Sequence, residues 1–310
     1  MDFFRVSSSY YLIDFACIQA YNKYNNYILE LEADSEMKYE EYVTRLGFTP
    51  EEMEIISRTD KKCRNEFSDV FSLARTEYDK GDESFTEYLF AFAERTDIPV
   101  NTLNLYIYLR FIEDTYKEYE RRGIGEDILI ETMSGFSTVS RLALDGGQDF
   151  GFPQPVYRSW FRRELDCMIY RLGRLEFEIV DAPCDMEVDG KSLKKGDTCI
   201  SVHIPRSASF DEDVCEISYA HAREFFKKYY NMDNIIFMCH SWMLHPWLCE
   251  VLRETSTIVK FQKKFKIIQV DETDVGIGWI FSTGVGLGTK VESIEEYPED
   301  TSLRRAAKQR

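Results

Sequence analysis

Up to about residue 124, apolar positions recur every three or four residues with polar positions between them, the period of amphipathic helices. Helix start signals accompany that period. Thr49-Pro50-Glu51-Glu52 places a hydroxyl at the N-cap, proline at the first helical position and glutamate three residues after the cap. Ser84-Phe85-Thr86-Glu87 is a second capping box, followed by apolar Tyr88, Leu89, Phe92 and Ala93. Leu103 to Arg122 predicts a long helix closed by Gly123, and a further helix is expected from Glu126 to Leu144, where Asp145-Gly146-Gly147 breaks the chain.

After Gly151-Phe152-Pro153 the texture changes. A helix is expected from Val156 to Leu172, ending at Gly173. Arg174 to Val180 then alternates at period two, as a half-buried antiparallel strand does. Val188-Asp189-Gly190-Lys191 carries the Asp-Gly signal of a tight hairpin. Thr198 to Ile204 predicts a strand ended by Pro205, with Ile200, Val202 and Ile204 on one face and Cys199, Ser201 and His203 on the other. Ser209-Phe210-Asp211-Glu212 is a third capping box, opening a helix to about Tyr230. Strands are expected over Ile235 to Trp242 and Phe265 to Val270, with a short helix from Pro246 to Leu252 between them. Strand, helix, strand, helix, strand is a parallel crossover pattern, so the fold class is α+β, with the sheet confined to the C-terminal half.

Composition narrows the function classes. Lys and Arg number 38 against 55 Asp and Glu, a formal net charge of −17. Nucleic-acid backbones and anionic lipid both need clustered cations, so neither is an expected partner. Apolar residues make up 44% and aromatics 15%, enough buriable surface for a folded core. The most apolar segment, Leu103 to Ile112, is short and contains Arg110, and Met1 to Arg5 has no secretory pattern. Eight scattered cysteines without a C-x-x-C pair are expected as reduced thiols of a cytoplasmic protein.

Arg171-Leu172-Gly173-Arg174-Leu175-Glu176-Phe177, Val202-His203-Ile204-Pro205, Cys239-His240-Ser241-Trp242-Met243-Leu244 and Pro298-Glu299-Asp300-Thr301-Ser302-Leu303 resemble, in that order, the signature segments of a family of bacterial two-domain acyltransferases. The resemblance implies a helical N-terminal domain, taken as residues 1–124, and a GNAT-like acyltransferase domain of mixed sheet flanked by helices, taken as 125–310. It also implies acyl-CoA, with an acetyl or longer chain, as cosubstrate and a small-molecule or peptide amine as acceptor. In that superfamily the strand ending at Pro205 and the one ending near Trp242 splay apart to admit the pantetheine arm, whose amides pair with the exposed strand edge. The resemblance thus assigns cofactor binding to Val202, Ile204, Arg206, Ser207 and Ser209.

Direct acyl transfer to an amine needs a base for the ammonium and an acid for the departing thiolate. His203 on the polar strand face and His240 at a strand end are the candidates for proton transfer. Each is equally readable as a structural histidine. Ser241 is a candidate donor, or else the cap of the next turn. Trp242 and His245 are candidate pocket walls, standing where the superfamily commonly carries a tyrosine that this chain lacks. Glu176 and Glu178 share one strand face, expected to be solvent-exposed unless it contacts the amine. Cys239, His240 and His245 match no standard zinc spacing, so no metal is assigned.

One departure from the superfamily stands out. Arg206-Ser207-Ala208-Ser209-Phe210-Asp211 lacks the two glycines of the usual pyrophosphate loop, and Asp211, Glu212 and Asp213 would repel an anion at that helix start. Gly284-x-Gly286-x-Gly288 reads as a turn, and Glu292 to Asp300 as a solvated tail. The alternative to an enzyme is a catalytically silent GNAT-like domain that binds a ligand or a protein. A hydrolase using Ser241 with His240 or His203 lacks the G-x-S-x-G elbow.

Overall fold

The computed structural model describes residues 39–66, 74–76, 78–79, 85–153, 156–188, 190–205, 210–270, 275–281 and 293–308. Ser84, Asp189, Arg206, Ser207, Ser209, Glu292 and the 284–288 glycine run lie outside the described residues.

Local signals in the first half act as their chemistry requires. Helix α1 spans Tyr39–Arg45 and α2 Pro50–Glu66. At the start of α2 the capping box is reciprocal: the Thr49 N–H donates to Glu52 Oε2 at 2.8 Å and the Glu52 N–H to Thr49 Oγ1 at 3.3 Å. Helix α3 is Phe85–Thr96 and α4 Val100–Arg122. Gly123 ends α4 at φ 68°, a left-handed C-cap whose N–H returns to Glu120. Helix α4 is buried over most of Thr102 to Ile112 because α1, α2, α3 and later α7 pack around it.

The expected helix from Glu126 to Leu144 is two, α5 (Glu126–Met133) and α6 (Gly135–Asp145), divided at Ser134, whose Oγ donates to the Glu131 carbonyl. The helix expected to reach Leu172 stops earlier. Helix α7 covers Val156–Leu165, Cys167 takes φ 57°, and Ile169–Leu172 is strand β1. Gly173 at φ 80° then turns the chain into β2, Leu175–Asp181. Ser218 locks that turn, its Oγ accepting from the N–H groups of Arg174 and Leu175 at 2.7 and 3.2 Å.

Strands β3 (Met186–Val188) and β4 (Lys191–Leu193) form the expected hairpin, a separate two-stranded ribbon. Strand β5 is Thr198–His203, and α8, Glu212–Tyr230, carries the chain to β6. The main sheet has the order β1-β2-β5-β6, antiparallel except for the parallel β5–β6 pair.

Two strand expectations need correction. Strand β6 is only Phe237–Met238, and Phe265–Val270 forms no strand among the described residues. Lys266 to Val270 lies exposed, and β-branched composition becomes a strand only where a neighbouring edge accepts its backbone. The C-terminal segments are α9 (Trp247–Val251), α10 (Thr257–Gln262), α11 (Val275–Phe281) and α12 (Ser302–Lys308).

Each face of the sheet is covered by different helices. Tyr170, Phe177, Val202 and Phe237 face α8, where Tyr170 meets Phe225 at 4.6 Å between ring centroids and Tyr219 meets Phe237 at 5.0 Å. The opposite face meets α7, and α5 runs along β1, where Thr132 Oγ1 accepts the Arg171 N–H at 3.0 Å. The core is continuous across the sheet, a single buried cluster running from Tyr42 to Phe261. Among the described residues no helix is long and apolar enough to cross a membrane.

Candidate active site

Strand register assembles the site. Pairing of β2 with β5 puts Glu176 opposite His203 and Glu178 opposite Ser201, while β1 puts Arg171 opposite Glu176. Side chains alternate along a strand, so these five share one face. That face lies under α7. Glu176 and Glu178 are each only 5% exposed, which overturns the expectation of a wet carboxylate face. Helix α7 contributes Trp160, Arg163 and Glu164 to the same cluster.

The hydrogen bonds are specific. Glu178 Oε2 lies 2.7 Å from His203 Nε2, and Glu178 Oε1 accepts from Arg163 Nη1 at 2.7 Å. Burial opposes the charge on Glu178, yet the His203 hydrogen bond and the Arg163 cation outweigh it and hold the carboxyl below its usual range. The Arg163 guanidinium lies over the Trp160 ring, and that ring meets the His203 imidazole nearly perpendicularly at 4.8 Å.

Trp160 Nε1 donates to Glu164 Oε1 at 2.8 Å, leaving Glu164 Oε2 buried without a hydrogen-bond partner among the described residues. Burial, together with the neighbouring Glu176 charge, pushes the Glu164 carboxyl well above its usual range. Burial raises Glu176 too, against the pull of Arg171 and His203. The site thus combines one carboxylate held ionised, two carboxyls that burial raises, and an imidazole 21% exposed. An imidazole backed by a fixed anion and reached by solvent is equipped to take and return a proton.

Among the described residues no strand pairs with the edge of β5 beside His203. Parallel pairing of β5 with β6 covers Ile200↔Phe237 and Ser201↔Met238 and then stops, although β5 continues to His203. Beyond Met238 the chain turns away into a 3₁₀ turn at Trp242–Leu244.

A family model described as the N-acyltransferase N-terminal domain matches residues 37–167, and one described as the GNAT-like C-terminal domain matches residues 169–310. The chain belongs to the two-domain N-acyltransferase family. Solved structures agree in fold. An acyltransferase in complex with decanoyl-CoA and teicoplanin matches with a TM-score of 0.56 at 20% identity, over 67% of this chain and 61% of that one. The same figures hold for an acyltransferase in complex with CoA and 10C-teicoplanin. The chain therefore spans about 61% of the length of these structures. No curated protein sequence matches.

In this N-acyltransferase-family fold the remaining predicted residues fall outside the His203 cluster. His240 is exposed in the loop after β6. Ser241 Oγ caps the 3₁₀ turn by accepting the Met243 N–H at 3.2 Å. His245 Nδ1 accepts the Trp247 N–H at 3.2 Å, and Trp242 packs against a separate apolar cluster of Leu248, Leu252 and Val259. Val202 is buried on the α8 face and Ile204 is half-buried just past the strand end.

The start of α8 also departs from expectation. The described N-cap is Asp211, and the acidic start is partly paired: Lys264 Nζ lies 2.8 Å from Glu212 and 2.9 Å from Glu216. A small hollow of about 10 Å³ lies there, lined by Phe210, Cys215, Tyr219, Lys260, Phe261 and Lys264 among others. Tyr219 is 7% exposed and its hydroxyl has no hydrogen-bond partner among the described residues. Burial keeps that hydroxyl protonated far above neutrality.

Sequence reasoning finds none of Trp160, Arg163, Glu164, Tyr219 or Lys264, because each acts on residues distant along the chain.

Proposed function

We propose that the protein is an acyl-CoA-dependent N-acyltransferase acting on a small amine or peptide, with His203 as the base. The observation that carries this reading is the end of β5, where the β6 partner is lost at Met238 while His203, backed by Glu178, stands at an edge with which no described strand pairs. Acyl-CoA supplies an activated thioester, and the solved structures similar to this chain hold decanoyl-CoA or CoA together with a glycopeptide. That edge of β5 offers backbone groups to a pantetheine amide.

Lys260 and Lys264 bring two ammonium groups beside the start of α8, where Lys264 pairs with Glu212 and Glu216 and offsets part of the local acidity. The acceptor enters as a cation into a chain of net charge −17, a sign that favours encounter. His203 removes its proton, and the free amine attacks the thioester.

Thermal unfolding with acyl-CoAs from acetyl to decanoyl tests binding. A ligand at 100 times its dissociation constant stabilises by about 2.7 kcal/mol. Absence of any shift across the series overturns the reading. Thiol release with an amine library tests chemistry: His203→Ala is expected to lose roughly 10²–10⁴-fold in turnover. A thermal shift without thiol release from the unaltered protein would favour the silent binding domain.

A further inference from the structure

The base in this site is held by groups from strand β2 and helix α7, and their arrangement specifies which nitrogen does the work. Glu178 Oε2 faces His203 Nε2 at 2.7 Å, and the other Glu178 oxygen is tied to Arg163 on α7. A carboxylate anchored by a guanidinium is an acceptor only, so a neutral imidazole beside it must carry its proton on Nε2.

We propose that Glu178 and Arg163 are positioning residues that lock His203 in the Nε2–H tautomer, making Nδ1 the atom that accepts the substrate proton. This deepens the reading of His203 as the base and rests on it. The Nδ1–H bond forms as an acceptor N–H bond breaks. The freed amine lone pair attacks the acyl carbonyl to form the C–N bond, the C–S bond breaks, and the leaving thiolate takes up the second proton that the nitrogen gives up.

Ring orientation is fixed as well. The Trp160 indole meets the imidazole nearly perpendicularly, Arg163 covers the same indole, and Glu164 accepts the indole N–H. Helix α7 therefore supplies two contacts, Trp160 to the imidazole and Arg163 to Glu178, that hold the pair in place. The charged and titratable groups facing His203 and Glu178 are Glu176 from β2, Arg171 from β1, and Arg163 and Glu164 from α7. Arg174 acts on Glu176 from the hairpin turn.

The test uses the full chain labelled with ¹⁵N-histidine. Its four histidines are few enough to assign by single substitution, His203→Gln identifying the signal of interest. At a pH where the ring is neutral, the Nε2–H pattern is expected in the unaltered protein. A mixture of tautomers is expected in Glu178→Ala and Arg163→Met. An Nδ1–H pattern, a persistently doubly protonated ring, or a pattern indifferent to Glu178→Ala overturns the proposal.

Arg163 is partly exposed, so Arg163→Met gives a readout even where Glu178→Ala fails to fold. In turnover, Glu178→Ala is expected to lower kcat by roughly 10²–10⁴-fold, as loss of a tautomer-fixing carboxylate does elsewhere. The KM for acyl-CoA should stay unchanged. Failure of the two readings is distinguishable. If the tautomer follows Glu178 but no acyl-CoA releases thiol, the positioning stands and the enzyme reading falls; if the tautomer ignores Glu178, the positioning falls whatever the turnover.

Discussion

Two buried glutamates of this site are shifted in opposite directions, Glu178 below its usual range and Glu164 above it. Glu178 is held ionised, so its contribution to stability is present above its unfolded pKa and lost as the pH falls through the lower folded value. Glu164 is held neutral by burial and by Glu176, so its contribution is whole below the ordinary carboxylate pKa and is gone once the pH rises through the folded value. Glu164→Gln mimics the neutral form and keeps an oxygen for Trp160. Its melting temperature is therefore expected to match the unaltered protein near pH 4 and to exceed it progressively toward pH 8, at about 2–4 °C for each 1 kcal/mol. Parallel melting curves across pH would refute the neutral carboxyl. Period-two alternation makes the shared face of Cys199, Ser201 and His203 legible in the sequence, and likewise that of Glu176 and Glu178. Alternation does not say which face is wet. In an acidic chain glutamates read as solvated, and the tryptophan and arginine that cover them stand on α7, outside the strand.

Elements were legible in proportion to how local their causes are. The Thr49–Glu52 box, the Gly123 stop and the 186–193 hairpin are each written within a few residues. Strand β1 hides inside an apparent helix because its partner decides it, and 265–270 reads as a strand but has no described edge to join. The cap itself is testable at this scale. Thr49→Ala should cost about 1 kcal/mol, the usual worth of an N-cap hydroxyl. Glu52→Ala should cost more, because Glu52 also accepts from Arg141 Nε at 3.0 Å and Nη2 at 2.8 Å, joining α2 to α6. Urea unfolding of both variants measures the difference, and equal losses would show that the Arg141 pair contributes nothing beyond the cap.

At the scale of the molecule, the sheet is shared property. Its α8 face is apolar and closed by helices of the C-terminal half, whereas its other face buries Glu176 and Glu178, with Arg171 half-buried beside them, under α7 and α5, which fall within the residues matched by the N-terminal family model. Removing those helices would leave a polar face stripped of Arg163 and Trp160 and an apolar edge at Ile169, so the C-terminal half has no complete core without them. The same buried cluster runs through both halves. Cooperative unfolding follows from that continuity: calorimetry of the full chain is expected to give one transition, with the calorimetric and van't Hoff enthalpies equal. Arg163→Met, by loosening the bond between α7 and β2, should move that single transition downward without splitting it. Two resolved transitions in the unaltered protein would mean that the halves fold as independent units, and the α7 contacts to His203 would then be a docking of finished domains rather than part of one core.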